Sequence, residues 1–499
     1  MSATPGLPAF IEGYGPVVPW TNTPVTPKVR RPVRAPVQPR RAPSLRMALE
    51  RADLRDGAVL SFHHHLRNGD ALMVQTLLLC AQMGVRDLTI AASSIFPCHA
   101  PLVALIERGI ITRMTTSYLS GPVADAVRAG HLAYPAVLQT HGGRAAAIED
   151  GRLDIDLAVI AAPAVDGAGN ITGATGRAAC GPLGYAMVDA AHARHVIAVT
   201  DGPDTHLPRI CIPASRIDQI TRIKTLGDPA QIASGTTAKP PTAAGQKIAD
   251  MTARVITEAF RQDPEFSFQT GAGAISLATA KALAPMMHEA KMRGRFACGG
   301  ITAPLVEMQR AGLFQELRDV QAFDLSAVRS YATDRHHIGI SASDYAHPAR
   351  PDAVAHHLGC VVLGAAEIDQ DFNINVTTTS DGRIIGGSGG HSDVAQGARL
   401  TIVTTQTHAR GGPKLVPHVV HRTTPGSYID IVVTEAGATI QSDRWRRLDK
   451  ALGQAGVPVV PAATLFPQRT DTVREPSQKK TVAVSEHRDG RVIDVVHAG

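Results

Sequence analysis

Aromatic residues and long apolar runs are scarce in this chain of 499 residues. Phe, Trp and Tyr make up 4% of the sequence, which is low for a protein that stacks bases on aromatic side chains. No apolar run reaches the ~18 residues of a membrane-spanning helix, and the N-terminus lacks the apolar core of a signal peptide. We therefore expect a cytoplasmic protein with neither a nucleic-acid nor a membrane partner.

Cysteine is also rare, and its spacing excludes two familiar kinds of site. No two of the six cysteines form a C-x-x-C pair, which argues against a zinc ribbon or a thioredoxin-type centre. Scattered cysteines predict buried thiols in a reducing compartment. The run His63-His64-His65 has no carboxylate or cysteine at ligand spacing, and neighbouring side chains on a strand face opposite ways, so no metal site is predicted.

Two nucleotide-binding motifs are missing as well. There is no G-x-x-x-x-G-K-[ST], so ATP is not expected. Gly271 and Gly273 lie between a predicted strand and a predicted helix, but Ser276 stands where G-x-G-x-x-G has its last glycine, which disfavours a nicotinamide site. A glycine turn at a helix N-terminus suits a phosphate or pantetheine group. Gly271 and Gly273 are therefore candidate thioester-binding residues, and no tightly bound cofactor is predicted.

Proline and basic residues are concentrated at the N-terminus. Lys and Arg exceed Asp and Glu by 50 − 44 = 6 over the whole chain, and residues 28–46 hold seven basic residues and no acidic one. Proline fixes its own φ and offers no N–H. Residues 1–45 are therefore predicted to form an extended arm.

From residue 46 the pattern is α/β. Buried-looking strands alternate with amphipathic helices, which favours mostly parallel sheets covered on both faces. Residues 225–246 are rich in Gly, Pro, Ser and Thr, and the pattern restarts after them, so we predict two similar domains, 46–245 and 246–499. The predicted strands are 58–62, 87–92, 157–161, 195–199, 266–269, 361–366, 400–404 and 428–433, and the predicted helices are 71–82, 102–108, 246–261 and 276–293.

Glu367 follows a buried-looking strand, and a five-residue glycine-rich loop, 386–390, follows it. A carboxylate in a dry pocket can attack an activated acyl carbon, and the backbone N–H groups of a glycine loop can bind the oxyanion that forms. The sequence thus predicts acyl transfer. Asp369, Asp371 and Glu435 are rival carboxylates, and a surface acid with a flexible hairpin turn is the structural alternative.

The same loop formally matches G-x-S-x-G, with Ser388 as a hydrolase nucleophile. Downstream histidines and Asp430 would complete a triad. A nucleophile elbow needs a helix directly after the serine, and the sequence offers a short one at best.

Residues 140–144, Thr-His-Gly-Gly-Arg, place a fixed cation beside glycines. An Arg fork suits a carboxylate substrate, so Arg144 is a candidate anion ligand. The alternative is a structural turn in which Arg144 pairs with an acid such as Glu149. Residues 234–237, Ser-Gly-Thr-Thr, form either an anion loop or a helix cap.

Several longer motifs occur in order along the chain, at 61–70 (Ser-Phe-His-His-His-Leu-Arg-Asn-Gly-Asp), 93–97, 140–144, 161–163, 179–187, 227–229, 234–237 and 266–273. Together they closely resemble the alpha subunit of citrate lyase, the citrate CoA-transferase chain. The resemblance runs from about residue 46 to the C-terminus.

The resemblance implies two CoA-transferase-type α/β domains with the active site at their interface. It also implies a glutamate nucleophile in a Glu-x-Asp context, here Glu367, and a downstream glycine loop that binds thioester and oxyanion. The loop residues are Gly386, Gly387, Gly389 and Gly390.

The implied activity exchanges the acetyl group of an acyl-carrier thioester, or of acetyl-CoA, for citrate, releasing acetate. The implied partners are a beta (lyase) subunit and a gamma (acyl carrier) subunit in an oligomeric complex. Arg67, His141 and Arg144 are the expected substrate contacts. A related acetate-type CoA-transferase or an acyl-CoA hydrolase would use the same glutamate.

Overall fold

The computed structural model describes residues 6–23, 30–233, 239–263, 266–409, 412–467 and 479–499. The predicted anion loop or helix cap at 234–237 lies outside these ranges. In the described ranges, no helix combines the length and the apolarity that crossing a bilayer requires.

Three two-residue strands precede a regular alternation of strands and helices. The elements up to the first long loop are β1 (Phe10–Ile11), β2 (Gly15–Pro16), β3 (Arg40–Arg41), α1 (Leu45–Arg51), β4 (Val59–Phe62), α2 (Leu72–Gln82), β5 (Leu88–Ala92), α3 (Leu102–Glu107), β6 (Ile111–Thr116), α4 (Pro122–Arg128), β7 (Ala136–Leu138), α5 (His141–Glu149), β8 (Leu157–Ala161), β9 (Ala164–Val165), β10 (Ile171–Thr172), α6 (Gly184–His192), β11 (His195–Thr200) and β12 (Gln219–Arg222).

The alternation resumes with a long helix whose first turn is capped by the Thr242 hydroxyl. The remaining elements are α7 (Ala243–Phe260), β13 (Phe268–Thr270), α8 (Ala274–Glu289), β14 (Gly294–Ile301), α9 (Ala303–Arg310), β15 (Phe314–Ala322), α10 (Leu325–Thr333), β16 (His337–Gly339), α11 (Ala342–Ala346), β17 (Cys360–Gly364), β18 (Glu367–Asp369), β19 (Ile374–Asn375), α12 (His391–Gly397), β20 (Leu400–Thr404), β21 (His408–Ala409), β22 (Gly412–Pro413), β23 (Leu415–Val416), β24 (Ile431–Thr434), β25 (Gly437–Ile440), α13 (Asp449–Gln454), α14 (Ala462–Leu465), β26 (Thr481–Glu486) and β27 (Val492–His497). Short 3₁₀ helices lie at Arg67–Gly69, Pro97–His99, Ala214–Arg216, Pro229–Ile232, Val354–His357, Gly426–Tyr428 and Asp443–Leu448.

The first large sheet has ten strands in the order β27-β26-β7-β6-β5-β4-β8-β11-β12-β3. Its neighbours run parallel, except for the hairpin of β26 and β27. The sheet is therefore built mainly from the first half of the chain and completed by the last two described strands. The predicted domain limits, at residues 45 and 245, stay predictions.

The second large sheet has eight strands in the order β16-β15-β14-β13-β17-β20-β24-β25, parallel except for the last pair. A small sheet, β19-β18-β23, follows the carboxyl end of β17. The predicted α/β class with mostly parallel sheets is thus confirmed, since parallel strands joined by helices form both large sheets.

The described part of the N-terminal arm lies against the first sheet. β3 pairs with β12, and the guanidinium of Arg34 lies 2.7 Å from the Asp218 carboxylate. Trp20 is 1% exposed and its backbone N–H donates to Val492 in β27. At least one basic residue of the arm, Arg34, therefore has its partner within this chain.

Apolar side chains from both large sheets merge into one hydrophobic cluster. Polar contacts also join the two sheets where strands end. The Gln321 side chain, near the end of β15, donates to the carbonyl of His64, just after β4, at 2.7 Å. Ligand sites of α/β proteins lie beyond the carboxyl ends of the strands, and here those ends of the two sheets meet.

Candidate active site

Glu367 opens β18, and its side chain is 3% exposed. Its carboxylate accepts hydrogen bonds from the Asn375 amide at 2.9 Å, the Ser380 hydroxyl at 2.5 Å and the Val420 backbone N–H at 3.3 Å. All three donors are neutral. The carboxylate is therefore oriented without being neutralised by a direct ion pair among the described residues, which suits a nucleophile.

Asn375 is itself fixed by its surroundings. It pairs with Glu367 across β18 and β19, and its amide also donates to Thr378. Its side-chain oxygen accepts the backbone N–H groups of Thr377 and Thr378, each at 3.0 Å. The hydrogen bond that orients Glu367 thus comes from a side chain locked in a tight turn.

Lys414 brings a positive charge near Glu367. Its ammonium donates to the Ala365 carbonyl at 2.9 Å. Burial lowers the pKa of Lys414, and the nearby charge of Glu367 acts in the opposite direction. Lys414 carries no signal in the sequence, because nothing in its spacing relates it to a glutamate 47 positions earlier.

Asp369, two residues after Glu367, has a different role. Its carboxylate accepts from the backbone N–H groups of Asp371 and Asn373 and from the Asn373 amide, at 3.0 to 3.2 Å. Burial raises its pKa. Asp369 therefore holds the turn between β18 and β19. Glu435, another rival, accepts from the backbone N–H of Thr407 at 3.0 Å and holds a second loop.

The glycine loop 386–390 lies between the small sheet and the first large sheet. The N–H of Gly389 donates to Ser117 at 3.0 Å, and its carbonyl accepts from the N–H of His141 at 2.8 Å. A Cβ on Gly387 would lie 2.5 Å from the carbonyl oxygen of Ser117, and one on Gly386 would lie 2.8 Å from that of Val376. Glycine is required because backbone from both sides approaches this closely.

His391 begins α12 directly after the loop. Its Nδ1 bonds to the Thr424 hydroxyl at 2.8 Å and its Nε2 to the Gly364 carbonyl at 3.0 Å. Burial lowers its pKa to about 4. A neutral imidazole thus ties the glycine loop to the end of β17, three residues before Glu367.

Ser388 is not paired with His391, the histidine that follows its loop directly. Its hydroxyl accepts from the backbone N–H of Ser392 at 3.3 Å, while both ring nitrogens of His391 bond elsewhere. Asp430 forms an ion pair with Arg444 at 2.8 Å. Neither His391 nor Asp430 is available to activate Ser388 as a triad would require.

Arg67 and His141 lie on a buried aromatic wall beside the glycine loop. Arg67 has a left-handed φ of 52°, its guanidinium lies 4.5 Å from the centre of the Phe323 ring, and burial lowers its pKa. The ring of His141 is 4.6 Å from that of Tyr185, and burial lowers its pKa to about 3. A Cβ on Gly389 would lie 3.4 Å from His141 Nε2.

Arg144 is 2% exposed and engaged inside the first sheet. Its guanidinium binds Asp189 at 2.8 and 3.2 Å and donates to Ser61 and Ala91. Glu149, the acid proposed from sequence, pairs instead with Arg30. The geometry supports a structural role for Arg144, and direct contact with a substrate stays a prediction.

Gly271 and Gly273 precede α8 at the carboxyl end of β13, which pairs with β17. The N–H of Gly271 donates to Val362 at 2.8 Å. A Cβ on Gly273 would meet no atom within 4 Å, so space lies open in front of this sixteen-residue helix. The positive end of a helix of this length attracts anionic groups.

A buried carboxylate locks the two halves of the site together. Asp393 in α12 accepts from the Thr140 hydroxyl at 2.8 Å and from the Gly142 N–H at 2.9 Å, at the start of α5. Arg488, just after β26, lies 3.5 Å from the same carboxylate and donates to Ala346 at 2.7 Å. The glycine loop is thus held by residues from three distant parts of the chain.

Within the described residues, no group of three or more His, Cys, Asp or Glu side chains is arranged to hold a metal ion. His63 and His65 pack ring to ring, with centres 4.9 Å apart, and burial lowers the pKa of both. These imidazoles are neutral parts of the buried wall.

Comparisons with known proteins show similarity to one family. Residues 40–498 match the family model described as citrate lyase, alpha subunit (CitF). The chain is 40% identical over 460 residues to the citrate lyase alpha chain of Escherichia coli, covering 91% of this chain and 90% of the relative. It is 38% identical to that of Klebsiella pneumoniae over 459 residues, with the same coverage.

Solved structures give the same picture. A structure from Streptococcus mutans, described as the alpha subunit of citrate lyase in complex with citrate, is 37% identical, with a TM-score of 0.88 and coverage of 96% of this chain and 95% of that one. A malonate decarboxylase alpha subunit from Acinetobacter baumannii is 14% identical, covers 81% of each chain and has a TM-score of 0.60. The latter shows a shared fold only.

Proposed function

The chain belongs to the citrate lyase alpha subunit family, and from this premise we propose that it is the citrate CoA-transferase of a citrate lyase complex. It exchanges acetyl for citryl on a thioester and releases acetate. One thioester replaces another, so the reaction needs no ATP. The proposed partners are a beta (lyase) subunit and a gamma (acyl carrier) subunit whose CoA-like arm is the co-substrate.

One observation carries the assignment of the nucleophile. Glu367 is buried at the start of β18, and three neutral donors orient its carboxylate. It is followed by a glycine loop that the backbones of Ser117 and Val376 approach closely. The rival carboxylates Asp369 and Glu435 are engaged by backbone N–H groups of their own loops. Of these three carboxylates, Glu367 is the one we expect to be free to react with an acyl group, since two of its three donors are the side chains of Asn375 and Ser380.

In the first half-reaction, a Glu367 oxygen attacks the acetyl carbonyl and the thiolate leaves, giving an acetyl-glutamyl anhydride. The thiolate then attacks the glutamyl carbonyl. Acetate leaves, and the glutamyl thioester remains. The N–H groups of the loop, at Gly386, Gly387, Gly389 and Gly390, are the proposed donors to the oxyanions. Because the N–H of Gly389 already donates to Ser117, the other loop positions contribute most.

The second half-reaction repeats these steps with the acceptor acid. A citrate carboxylate attacks the glutamyl thioester, and the thiolate leaves. The thiolate attacks the citryl carbonyl of the new anhydride, which forms the citryl thioester and restores the Glu367 carboxylate. The ammonium of Lys414, whose own pKa the charge of Glu367 raises against the effect of burial, lies near the carboxylate that is restored at the end of each cycle.

We also propose how the remaining parts of the chain contribute. The two large sheets form the cores of domains 46–245 and 246–499, although β26 and β27 of the second domain and β3 of the arm complete the first sheet, and the site lies between the domains, with residues 1–45 as an extended arm. Gly271 and Gly273 bind the thioester arm at the start of α8, and Arg67 and His141 contact substrate from the aromatic wall. The cytoplasmic location stays a prediction.

The test is chemical trapping. The purified chain is incubated with acetyl-CoA and then with borohydride, which reduces a glutamyl thioester to an alcohol, and the modified peptide is mapped by mass spectrometry. We expect modification at Glu367, its absence in Glu367→Gln, and its retention in the matched variant Glu435→Gln. A label on Ser388 or Glu435 would contradict the proposed nucleophile.

A further inference from the structure

A cavity of about 240 Å³ opens directly beside the proposed nucleophile. Two of the residues that line it, Ser380 and Val420, are the ones that donate hydrogen bonds to the Glu367 carboxylate. A molecule in this cavity is therefore separated from the nucleophile by little more than one hydroxyl group. Another cavity, of about 590 Å³, shares none of these residues.

The side chains around this cavity are partly basic and partly apolar. Arg128, Lys479 and His497 line it, and Asp381 is the one lining carboxylate among the described residues. Arg128 donates through Nη2 to the backbone carbonyl of Asp381 at 2.6 Å. No Asp or Glu side chain in the described ranges forms a salt bridge with Arg128. Its Nε, which is buried, has no hydrogen-bond partner there either.

From this geometry we infer that the cavity binds the acceptor acid, a polycarboxylate, and that Arg128 holds one of the carboxylates that does not react. The inference rests on the proposed function, since it places the acid that attacks the Glu367 thioester. An arginine that lines a cavity and forms no salt bridge with an Asp or Glu side chain of the described ranges is suited to a carboxylate, which it binds through paired, charge-assisted hydrogen bonds.

The position of the cavity decides between two sources of negative charge. The phosphates of a CoA-like arm are separated from its sulfur by the full pantetheine chain, so they lie far from Glu367 when the sulfur reacts there. Spare carboxylates of the acceptor acid stay close to the carboxylate that attacks. A cation beside Ser380 is therefore placed to bind a carboxylate of the acceptor acid and not a phosphate of the CoA-like arm.

This arrangement also gives a basis for discrimination. Citrate has two carboxylates left when one attacks, whereas acetate has none. Arg128 then contributes to the binding of citrate in the forward direction and not to that of acetate in the reverse direction. Arg128 is accordingly a specificity-determining residue, distinct from Arg144, whose guanidinium is engaged by Asp189.

The test compares Arg128→Gln with Arg383→Gln as a matched control. Arg383 lies in the same turn as Asp381 and pairs with Asp125 on the surface, but it does not line the cavity. With acetyl-CoA as donor, we expect Arg128→Gln to raise the KM for citrate about 10- to 100-fold, the loss of one charge-assisted hydrogen bond. Arg383→Gln stays near wild type, and Arg128→Lys falls in between.

Two further measurements make the outcome specific. In the reverse direction, with citryl-CoA as donor, the KM for acetate stays unchanged in Arg128→Gln. Borohydride trapping of the Glu367 thioester from acetyl-CoA also stays unchanged, which shows that the variant is folded and that the proposed function stands. Absence of trapping in the wild type would instead refute the proposed function itself.

Three results would overturn the inference. They are an unchanged KM for citrate in Arg128→Gln, an equal rise in Arg383→Gln, and an equal loss for acetate. A defect seen with acetyl-CoA that disappears with acetyl-pantetheine, which lacks the distal phosphates, would assign the cavity to the thioester arm and would overturn it as well.

Discussion

The two parts of the active site are held in place in different ways. Glu367 takes its hydrogen bonds from Asn375, Ser380 and Val420, all within residues 367–420 and close to its own small sheet. The glycine loop 386–390 takes its contacts from Ser117, Leu119 and His141, which follow strands of the first large sheet. The proposed nucleophile is positioned locally, and the proposed oxyanion loop is positioned largely by the other half of the molecule.

The difference separates two kinds of defect. Changes around the small sheet should affect whether a covalent intermediate forms at all. Changes at the junction of the two sheets should leave the nucleophile intact and slow the chemistry through the loop. Each of the following experiments tests this separation, in order of decreasing effect.

Replacing the proposed nucleophile should have the largest effect. Glu367→Gln keeps the shape of the side chain but replaces the nucleophilic carboxylate with a neutral amide, so we expect citrate-dependent acetate release to fall by about 10⁴-fold or more. Steady-state kinetics with acetyl-CoA and citrate measures it. The Glu435→Gln variant should keep activity within a few-fold, and turnover like the wild type in Glu367→Gln would refute the assignment.

Disturbing the loop has the next largest effect. In Gly387→Ala the new Cβ would lie 2.5 Å from Ser117 O, so the loop must shift and its N–H groups move away from the oxyanion. We expect kcat to fall about 10²- to 10³-fold, while the Glu367 thioester still forms on long incubation. Gly453→Ala, where a Cβ meets no atom within 4 Å, is the control. Loss of trapping in Gly387→Ala would mean that the two parts are not independent.

The contacts of the buried Asp393 carboxylate with Thr140, Gly142 and Arg488 are tested through the free energy of unfolding. Asp393→Asn leaves Arg488 without its partner charge in a buried position, so we expect the free energy of unfolding to fall by about 2–4 kcal/mol. Denaturant titration measures the change. Asp443→Asn, which removes an exposed surface pair with Arg446, should change it by less than about 1 kcal/mol. Equal losses of unfolding free energy in the two variants would show that Asp393 contributes no more than an exposed surface pair.

The smallest effect concerns pH. The pKa of His391 is lowered from 6.5 to about 4 in the folded protein, so the unfolded chain takes up a proton first as the pH falls. The stabilisation that the neutral His391 contributes is fully present above pH 6.5 and is lost as the pH falls from 6.5 to 4. From pH 7 to pH 5 we expect the wild type to lose about 2 kcal/mol more than His391→Gln. Parallel pH profiles of the two proteins would contradict it.

Much of the fold could be predicted because its signals are local. The predicted strands at 157–161 and 400–404 coincide with β8 and β20, and the predicted helix at 71–82 with α2 (Leu72–Gln82). The predicted boundaries differ from the observed ones where a local feature, such as a capping residue, sets the end of an element. The helix predicted at 246–261 begins at Ala243, because the Thr242 hydroxyl caps it, and the strand predicted at 361–366 ends at Gly364 before a separate small sheet.

The candidate site was less accessible to sequence reasoning. Glu367 and the glycine loop stand out by their types and spacing, and they stay the predicted centre of the chemistry. Lys414, Asp393 and Arg488 carry no local pattern, since their partners lie far away in sequence. The pairing of Arg144 with Asp189, 45 positions later, could not be read from the residues around either one.

The last two described strands also have a consequence for synthesis of the protein. β26 pairs in parallel with β7, joining Ala483 to Ala136. While the ribosome makes the intervening residues, β7 is an open edge of a half-built sheet, and such edges invite pairing with other chains. Contacts this distant in sequence form slowly. The nascent chain therefore passes through a long period in which its first sheet is unfinished, and this is when it most needs protection from aggregation.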